Sequence, residues 1–399
     1  MSNTFLNPFR PGAGQPPPYL AGREKEKEAF EKLLAQDVVI KNMILTGLRG
    51  TGKTALLETL KPVALANKWL WAGADLSESA SVSENAIAIR LLTDLSVVTS
   101  QLLKGTKEKA GFSSGEEKVS IDYASLVQYY TSQPGLVSDK LKATLEYIWS
   151  YIKDAPSIKG IVFAYDEAQN MSDSAKDKEY PLSVLLEVFQ SLQRKNYPFL
   201  LVLVGLPTLF PKLVDARTYS ERMFNVIELK SLSPSDSKDA IVKPTQKSGC
   251  PVTFDDNSVT LITKESGGYP YFIQFVCRET FDSWIAQIAQ NIEKPSVPLT
   301  EIVAKLDTEF FAARWNRASD RERELLSVIA SLENCQEEFT IKEVAEQSKK
   351  VSEKPITDNQ INQMFVNLAS DGFIYRTRYG KYTFGIPLLG EYIKRQEIL

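Results

Sequence analysis

Residues 38–60 read VVIKNMILTGLRGTGKTALLETL, and three physical signatures follow one another within them. Val38 to Thr46 is rich in β-branched and aliphatic residues, the composition of a buried strand. Gly47-Leu48-Arg49-Gly50-Thr51-Gly52-Lys53-Thr54 has the form G-x-x-x-x-G-K-[ST]. From Lys53, the apolar residues Leu56, Leu57, Leu60 and Ala64 recur on one side of a helix, which Pro62 should kink or bring near its end. Strand, glycine turn and helix in this order suit a phosphate ligand. The glycines let the backbone curl so that successive N–H groups point inward, and the helix N-terminus adds its dipole. Lys53 supplies a point charge for the outer phosphates and the Thr54 hydroxyl can ligate Mg²⁺. The candidate nucleotide contacts are therefore Gly47, Leu48, Arg49, Gly50, Thr51, Gly52, Lys53, Thr54 and Ala55.

Working outward, Trp69 to Asp75, Ile161 to Asp166, Phe199 to Val204 and, more weakly, Phe224 to Leu229 read as further strands. Strands apolar on both faces and separated by helical stretches predict a parallel sheet covered by helices. Ile161-Val-Phe-Ala-Tyr-Asp166-Glu167-Ala-Gln169 ends a buried strand in two adjacent carboxylates. The C-terminal edge of such a sheet is where ligands bind. Asp166 is expected to hold Mg²⁺ through water, and Glu167 to orient or deprotonate an attacking water. Asp-Glu often merely starts a loop; it is the pairing with the glycine turn that gives it this meaning.

The chain has 399 residues, enough for two or three domains, and 43% hydrophobic residues, enough for a sizeable core. It has no histidine, which excludes Ser-His and Cys-His nucleophiles and histidine-ligated zinc. Lys plus Arg number 47 against 50 Asp plus Glu, a net charge of −3, which is less basic than a protein held permanently on nucleic acid. The separated cysteines Cys250, Cys277 and Cys335 form no Cys-x-x-Cys pair, and a reduced, cytoplasmic setting is expected. No apolar run is long enough for a membrane span, and the N-terminus shows no secretory signal pattern. Residues 1–18 (MSNTFLNPFRPGAGQPPP) are too rich in proline and glycine for a regular element. They read as a tail or as an extended arm anchored by Phe5 and Phe9. Lys104 to Glu117 reads as an exposed polar loop.

After Leu229 the strand pattern stops. Ser233 to Lys247 and Val259 to Gln290 read as helices. Ser319-x-x-Glu322, Thr340-x-x-Glu343 and Thr357-x-x-Gln360 are capping boxes, each opening an apolar-periodic run. The third places Ile361, Met364, Phe365 and Leu368 on one face. A β-hairpin from Gly372 to Phe384, turning near Gly380, follows. Three helices and a hairpin are the layout of a winged helix.

Taken together, these residues resemble the AAA+ branch of P-loop ATPases, and more narrowly the bacterial ATP-binding proteins grouped with origin-recognition and STAND-type ATPases. The resemblance runs over most of the chain. It rests on Asn7-Pro-Phe, Pro16-Pro-Pro-Tyr-Leu-Ala-Gly22-Arg23-Glu, the phosphate loop, Asp166-Glu-Ala-Gln169, Gly205-Leu-Pro207, Tyr219-Ser-Glu-Arg222-Met-Phe224, Gly267-Gly-Tyr-Pro-Tyr271 and the winged-helix end. It implies an α/β fold, with an extended arm (1–19), an AAA+ core whose parallel sheet is covered by helices (20–230), a helical lid (231–304) and a winged helix (305–399). It further implies that the Leu20 to Arg23 segment, with Gly22 and Arg23, packs on the adenine. Pro270 of the lid would touch the nucleotide. Arg222, with Arg217 as understudy, would be an arginine finger offered to a neighbouring subunit; otherwise Arg222 is a surface ion pair.

The chain departs from that pattern twice. Val204-Gly205-Leu206-Pro207 replaces the polar residue that normally ends the fourth strand, and Thr208 is the nearest hydroxyl. Tyr271 follows Gly268-Tyr269-Pro270 where an arginine is usual, and Arg278 lies seven residues further on. These departures point to slow or partner-stimulated turnover.

Two functions follow. One is an oligomerising ATPase, with ATP and Mg²⁺ as cofactors, whose nucleotide state controls self-assembly and engagement of a partner such as DNA. The alternative is a STAND-like regulatory switch whose winged helix binds protein. Arg376, Arg378 and Lys381 make the hairpin basic, and polar residues Asp358, Asn359, Gln360, Asn362, Gln363 and Asn367 line the third helix. Yet residues 319–399 hold 11 basic and 13 acidic residues, and that helix has no Lys or Arg.

Overall fold

The computed structural model describes residues 5–12, 14–107, 121–153, 157–246, 250–292 and 296–396. The chain divides into two compact units. One comprises Glu24–Thr46 and Leu56–Glu228; the other comprises Met1–Arg23, Gly47–Ala55 and Leu229–Leu399.

The first unit holds the sheet. Its elements are α1 (Glu24–Leu34), β1 (Asn42–Gly47), α2 (Lys53–Ala66), β2 (Trp69–Asp75), α3 (Glu78–Ser81), α4 (Glu84–Lys107), α5 (Tyr123–Ser132), α6 (Val137–Ile152), β3 (Gly160–Asp166), α7 (Pro181–Arg194), β4 (Phe199–Gly205), α8 (Leu209–Ala216), α9 (Ser220–Met223) and β5 (Phe224–Leu229). β1 and β5 run out of this unit at their C-terminal ends, and α2 runs into it. The strand order is β2-β3-β4-β1-β5. β1 pairs parallel with β4 (Met43 opposite Val202), and β3 pairs parallel with both β4 and β2. Every residue of β1, β3 and β4 is buried, as expected for strands covered on both faces. Phe163 of β3 packs edge-on against Phe189 of α7 (5.0 Å) and Phe199 of β4 (5.7 Å). Each such ring contributes roughly 1.5–3 kcal/mol of burial free energy.

β1 begins four residues later than the aliphatic run predicts. The Gln36 side chain accepts from Ile40 N (2.9 Å) and Lys41 N (3.0 Å) and donates to Leu33 O and Lys41 O. These bonds satisfy the backbone of a loop, so Val38 and Ile40 lie at the surface. Asn42 then enters the core, with its side chain donating to Gln193 Oε1 and accepting from Leu201 N. Of the loop expected at Lys104 to Glu117, residues 104–107 complete α4; residues 108–117 lie outside the described residues.

The second unit is helical apart from its hairpin. It holds α10 (Pro234–Val242), α11 (Asp256–Ser266), α12 (Pro270–Ala289), α13 (Leu299–Leu306), a π-helical turn at Asp307–Phe311, α14 (Ala312–Trp315), α15 (Asp320–Ala330), α16 (Ile341–Val351), α17 (Asp358–Ser370), β6 (Ile374–Arg378), β7 (Lys381–Phe384) and α18 (Leu389–Arg395). The helix expected from Val259 to Gln290 is two helices. Gly267 closes α11 in the left-handed conformation, and Pro270 opens α12 at a position where its missing N–H costs nothing. All three capping boxes form, at Ser319/Glu322, Thr340/Glu343 and Thr357/Gln360. β6 and β7 pair antiparallel across Tyr379-Gly380.

One core cluster runs through this unit, from Phe9 in the N-terminal segment to Ile393 in α18. Phe9 is 1% exposed and meets Phe254 (5.9 Å) and Phe281 (6.4 Å) edge-on. Asn7 Nδ2 donates to Arg278 O (3.0 Å) and Asp282 Oδ1 (2.8 Å). The three cysteines are unpaired. Among the described residues, no helix is long and apolar enough to cross a membrane.

Candidate functional site

The phosphate loop is a closed turn between β1 and α2. Thr51 Oγ1 donates to Leu48 O (2.9 Å) and Thr51 N reaches the same oxygen (3.4 Å). Gly50 (φ +80°) and Gly52 (φ +86°) occupy backbone conformations that a side chain would strain by about 1–2 kcal/mol each. Alternation of left-handed and ordinary residues turns consecutive N–H groups towards one centre, which is the geometry of an anion nest. The Lys53 ammonium folds back over the turn, donating to Gly47 O (2.9 Å) and Leu48 O (3.0 Å). Thr54 and Ala55 follow in the first turn of α2 and are half-buried.

Several predicted contacts surround this loop within the same unit. Arg23 is 6% exposed and its guanidinium donates to Thr51 O (3.1 Å) and Lys230 O (2.9 Å), so it braces the loop. Gly22 lies against the Asp236 carboxylate, which leaves no room for a Cβ. Pro270, the first residue of α12, comes within 3.9 Å of where a Cβ on Gly52 would stand. Next to it, Tyr271 N donates to Gly50 O (3.1 Å). Tyr271 thus bonds the phosphate loop through its backbone at the position where an arginine was looked for.

The carboxylates lie at the end of β3, in the sheet unit. Asp166 is 2% exposed. Its Oδ1 accepts from Glu167 N (2.7 Å), and Glu167 takes a left-handed conformation (φ 52°), unusual for a side chain of its size and a form of strain common at functional sites. Gln169 holds this turn together. Its amide nitrogen donates to Glu167 Oε2, and its amide oxygen accepts from Leu206 N (3.0 Å) just past β4. A Cβ on Gly205 would run into that same amide oxygen, so the glycine at the end of β4 admits Gln169. Lys212 Nζ donates to Gln169 O (2.7 Å) and Ser172 Oγ (3.0 Å), and burial lowers its pKa.

Asp75 ends β2 in register with Asp166. Its pKa is raised, first by desolvation and then by the negative charges of Asp166, Glu167 and Glu58. Sequence reasoning overlooked the roles of Gln169, Asp75, Tyr271 and Lys212. Asp75 could have been found, because the strands at Trp69–Asp75 and Ile161–Asp166 both end in aspartate. The Gln169 contact depends on strand order, which periodicity does not give.

Among the described residues, no group of three or more Asp, Glu or Cys side chains is placed to hold a metal by itself. The donor set of the loop (backbone N–H groups, one ammonium and one threonine hydroxyl) is chemically suited to a phosphate-bearing ligand.

Arg222 lies exposed on α9 and forms no ion pair among the described residues. Arg217 approaches Glu187 (3.7 Å). On the hairpin, Arg378 is held by Glu338 (2.7 Å), Lys381 approaches Glu343 (3.8 Å) and Arg376 lies over the Tyr379 ring (5.0 Å). Tyr379 is 93% exposed, and Val366 on α17 is 71% exposed.

Residues 308–393 match a family model described as Domain of unknown function (DUF8462). No match is found among curated proteins. Among solved structures, the ADP form of the Aeropyrum pernix ORC2 protein superposes with a TM-score of 0.55 at 12% identity, covering 98% of each chain. The Aeropyrum pernix ORC1 protein in complex with DNA has a TM-score of 0.48 at 14% identity, covering 94% of this chain and 93% of that one. Cdc6p from Pyrobaculum aerophilum has a TM-score of 0.47 at 15% identity, covering 96% of each. At these identities the likeness is one of fold, and the chain has the α/β fold seen in the ORC2 protein, with a five-stranded parallel sheet flanked by helices.

Proposed function

We propose that this chain binds ATP with Mg²⁺, hydrolyses it slowly, and uses its nucleotide state to control self-assembly and the engagement of a partner. The observation that carries this reading is the phosphate loop, with two left-handed glycines, a folded-back lysine and a bracing arginine at the end of a buried strand. β1 and β3 run parallel with β4 between them, so their C-terminal ends share one edge of the sheet. Within the sheet unit, Thr46 near the end of β1 and Asp166 at the end of β3 therefore lie along that one edge.

Each residue then has a role. The loop N–H groups and Lys53 hold the phosphates and orient them. Thr54 and Asp166 would hold Mg²⁺, which when bound neutralises phosphate charge. Glu167 orients a water and accepts its proton at a carboxylate oxygen, while Gln169 fixes the direction of that carboxylate. Gly22, Arg23 and Pro270 shape the nucleotide's surroundings, Arg23 through the loop it braces. Arg222, exposed and unpaired among the described residues, is available to a second copy of the chain as an arginine finger.

Glu167→Gln tests this assignment. The variant should bind ATP as the wild type does and lose turnover by at least about 100-fold. Full turnover would remove Glu167 as the base. Arg222→Ala should lower turnover only at protein concentrations where the chain assembles.

For the partner, residues 305–399 are read as a winged helix. The Aeropyrum pernix ORC1 protein was solved in complex with DNA, and a DNA partner for this chain would use Arg376, Arg378 and Lys381. A second reading, a STAND-like switch that engages protein, is favoured by the acidic partners of Arg378 and Lys381 and by the exposed Val366 and Tyr379. Anisotropy with duplex DNA separates the two. Binding that requires ATP and weakens steeply with salt supports a DNA partner, and no binding in any nucleotide state supports a protein partner.

A further inference from the structure

A run of contacts leads from the phosphate loop to α14. Tyr271 N bonds Gly50 O, and a Cβ on Gly50 would stand 3.1 Å from the Tyr271 Cβ. The Tyr271 ring lies 5.2 Å from the Phe310 ring, in the π-helical turn at Asp307–Phe311. Such turns recur at functional sites. The Arg314 guanidinium sits over the Phe310 ring, 4.6 Å from its centroid, and its Nη1 donates to Phe310 O (2.8 Å). Arg317 follows one turn on, with its N–H on Arg314 O (2.9 Å). At the near end of the run, Arg49 is the residue before Gly50.

These three arginines form no ion pair among the described residues. The two acids on this turn are engaged elsewhere: Glu309 lies 3.9 Å from Lys305, and Asp307 pairs with Arg395. Burial lowers the Arg314 pKa, and repulsion from Arg49 and Arg317 lowers it further. A guanidinium does not discharge at any ordinary pH, so the repulsion persists until an anion relieves it. Guanidinium groups present forked donors that match phosphate oxygens.

We propose that Arg49, Arg314 and Arg317 form an oxyanion site beside the phosphate loop that takes a phosphate group. The phosphate comes either from the outer end of a nucleoside triphosphate held in the loop or from free phosphate in solution. The first source rests on the nucleotide reading above; the second does not.

The test compares wild type with Arg314→Gln and with Arg49→Gln, the Arg49 side chain being exposed. Calorimetry gives the affinities for MgATP and MgADP. Thermal midpoints are taken with and without about 20 mM inorganic phosphate at constant ionic strength, a bound ligand raising the midpoint by mass action. If the triphosphate is the source, the wild type prefers ATP over ADP by about tenfold or more, and each variant loses that preference. If free phosphate is the source, the preference is unchanged, but phosphate raises the wild-type midpoint by several degrees and leaves both variants unmoved. Without ligand, Arg49→Gln should match or exceed the wild-type midpoint, because a like charge has been removed, whereas Arg314→Gln also gives up its bond to Phe310 O and its place on the Phe310 ring. Unchanged ATP preference together with an unchanged phosphate response overturns the proposal. So does a lowered ligand-free midpoint in both variants, which would make the arginines structural. A wild type that binds neither nucleotide removes the nucleotide reading, while the phosphate response still decides the arginine site.

Discussion

Gln169 offers a sharp test of how the carboxylate turn works, because its two hydrogen bonds can be removed together, or its donor bond alone. Its amide oxygen accepts from Leu206 N at 3.0 Å, and its amide nitrogen donates to Glu167 Oε2. Gln169→Leu removes both while keeping most of the volume. A neutral hydrogen bond contributes about 1 kcal/mol, and one to a charged group about 1.5–3 kcal/mol, less where the group reaches solvent as Glu167 does. The leucine variant should therefore lose about 2 kcal/mol of stability in urea melts. Gln169→Glu keeps an acceptor for Leu206 N but loses the donor and sets a second carboxylate against Glu167. Two like charges this close repel each other and turn Glu167 from its present direction. ATP affinity should be unchanged in both variants, while turnover falls by about 10- to 100-fold as Glu167 loses its fixed direction. A leucine variant with wild-type turnover and a stability change under about 0.5 kcal/mol would refute the reasoning.

Two other perturbations probe the same physics elsewhere. The raised pKa of Asp75 means that the folded state holds its proton more tightly than the unfolded state does, so stability is fully present below the ordinary pKa of 3.8 and is lost as pH rises through the folded value. Asp75→Asn should thus be the more stable protein at pH 7 by about 0.5 kcal/mol in urea melts, with the gap closing near pH 3; an equal gap at both pH values would count against carboxylate repulsion as its cause. Phe9→Ala removes a ring that is 1% exposed among Phe254 and Phe281, and should cost about 3–5 kcal/mol. A loss below about 1 kcal/mol would show that the N-terminal segment is not part of that core.

The parallel sheet was legible because β1, β3 and β4 are apolar on both faces, and only helices on both sides can bury such strands. The capping boxes were legible because the physics is local: an oxygen and an N–H three residues apart. Loss of legibility begins where a side chain acts at a distance. Gln36 takes up the backbone groups of residues 40 and 41 and so holds Val38 and Ile40 outside the strand that their composition predicts. The Gly267-Gly268 break in the long helix was visible as a motif but was read through as helix. In the candidate site, the glycine turn and the Asp166-Glu167 pair carry their chemistry in their spacing. Gln169 and Tyr271 do not, since their partners Leu206 and Gly50 lie 37 and 221 residues away. The basic hairpin shows the converse failure. Arg378 and Lys381 look available in sequence, but Glu338 and Glu343 meet them in space.

The most direct test of the central claim is calorimetric titration of MgATP into the wild type and Lys53→Ala. The Lys53 ammonium already sits over the loop, on Gly47 O and Leu48 O. The account predicts one ATP per chain for the wild type and an affinity about 100-fold weaker, ~2.7 kcal/mol, for the variant. A wild type that takes up no ATP, or a Lys53→Ala variant that binds it equally well, would contradict the account.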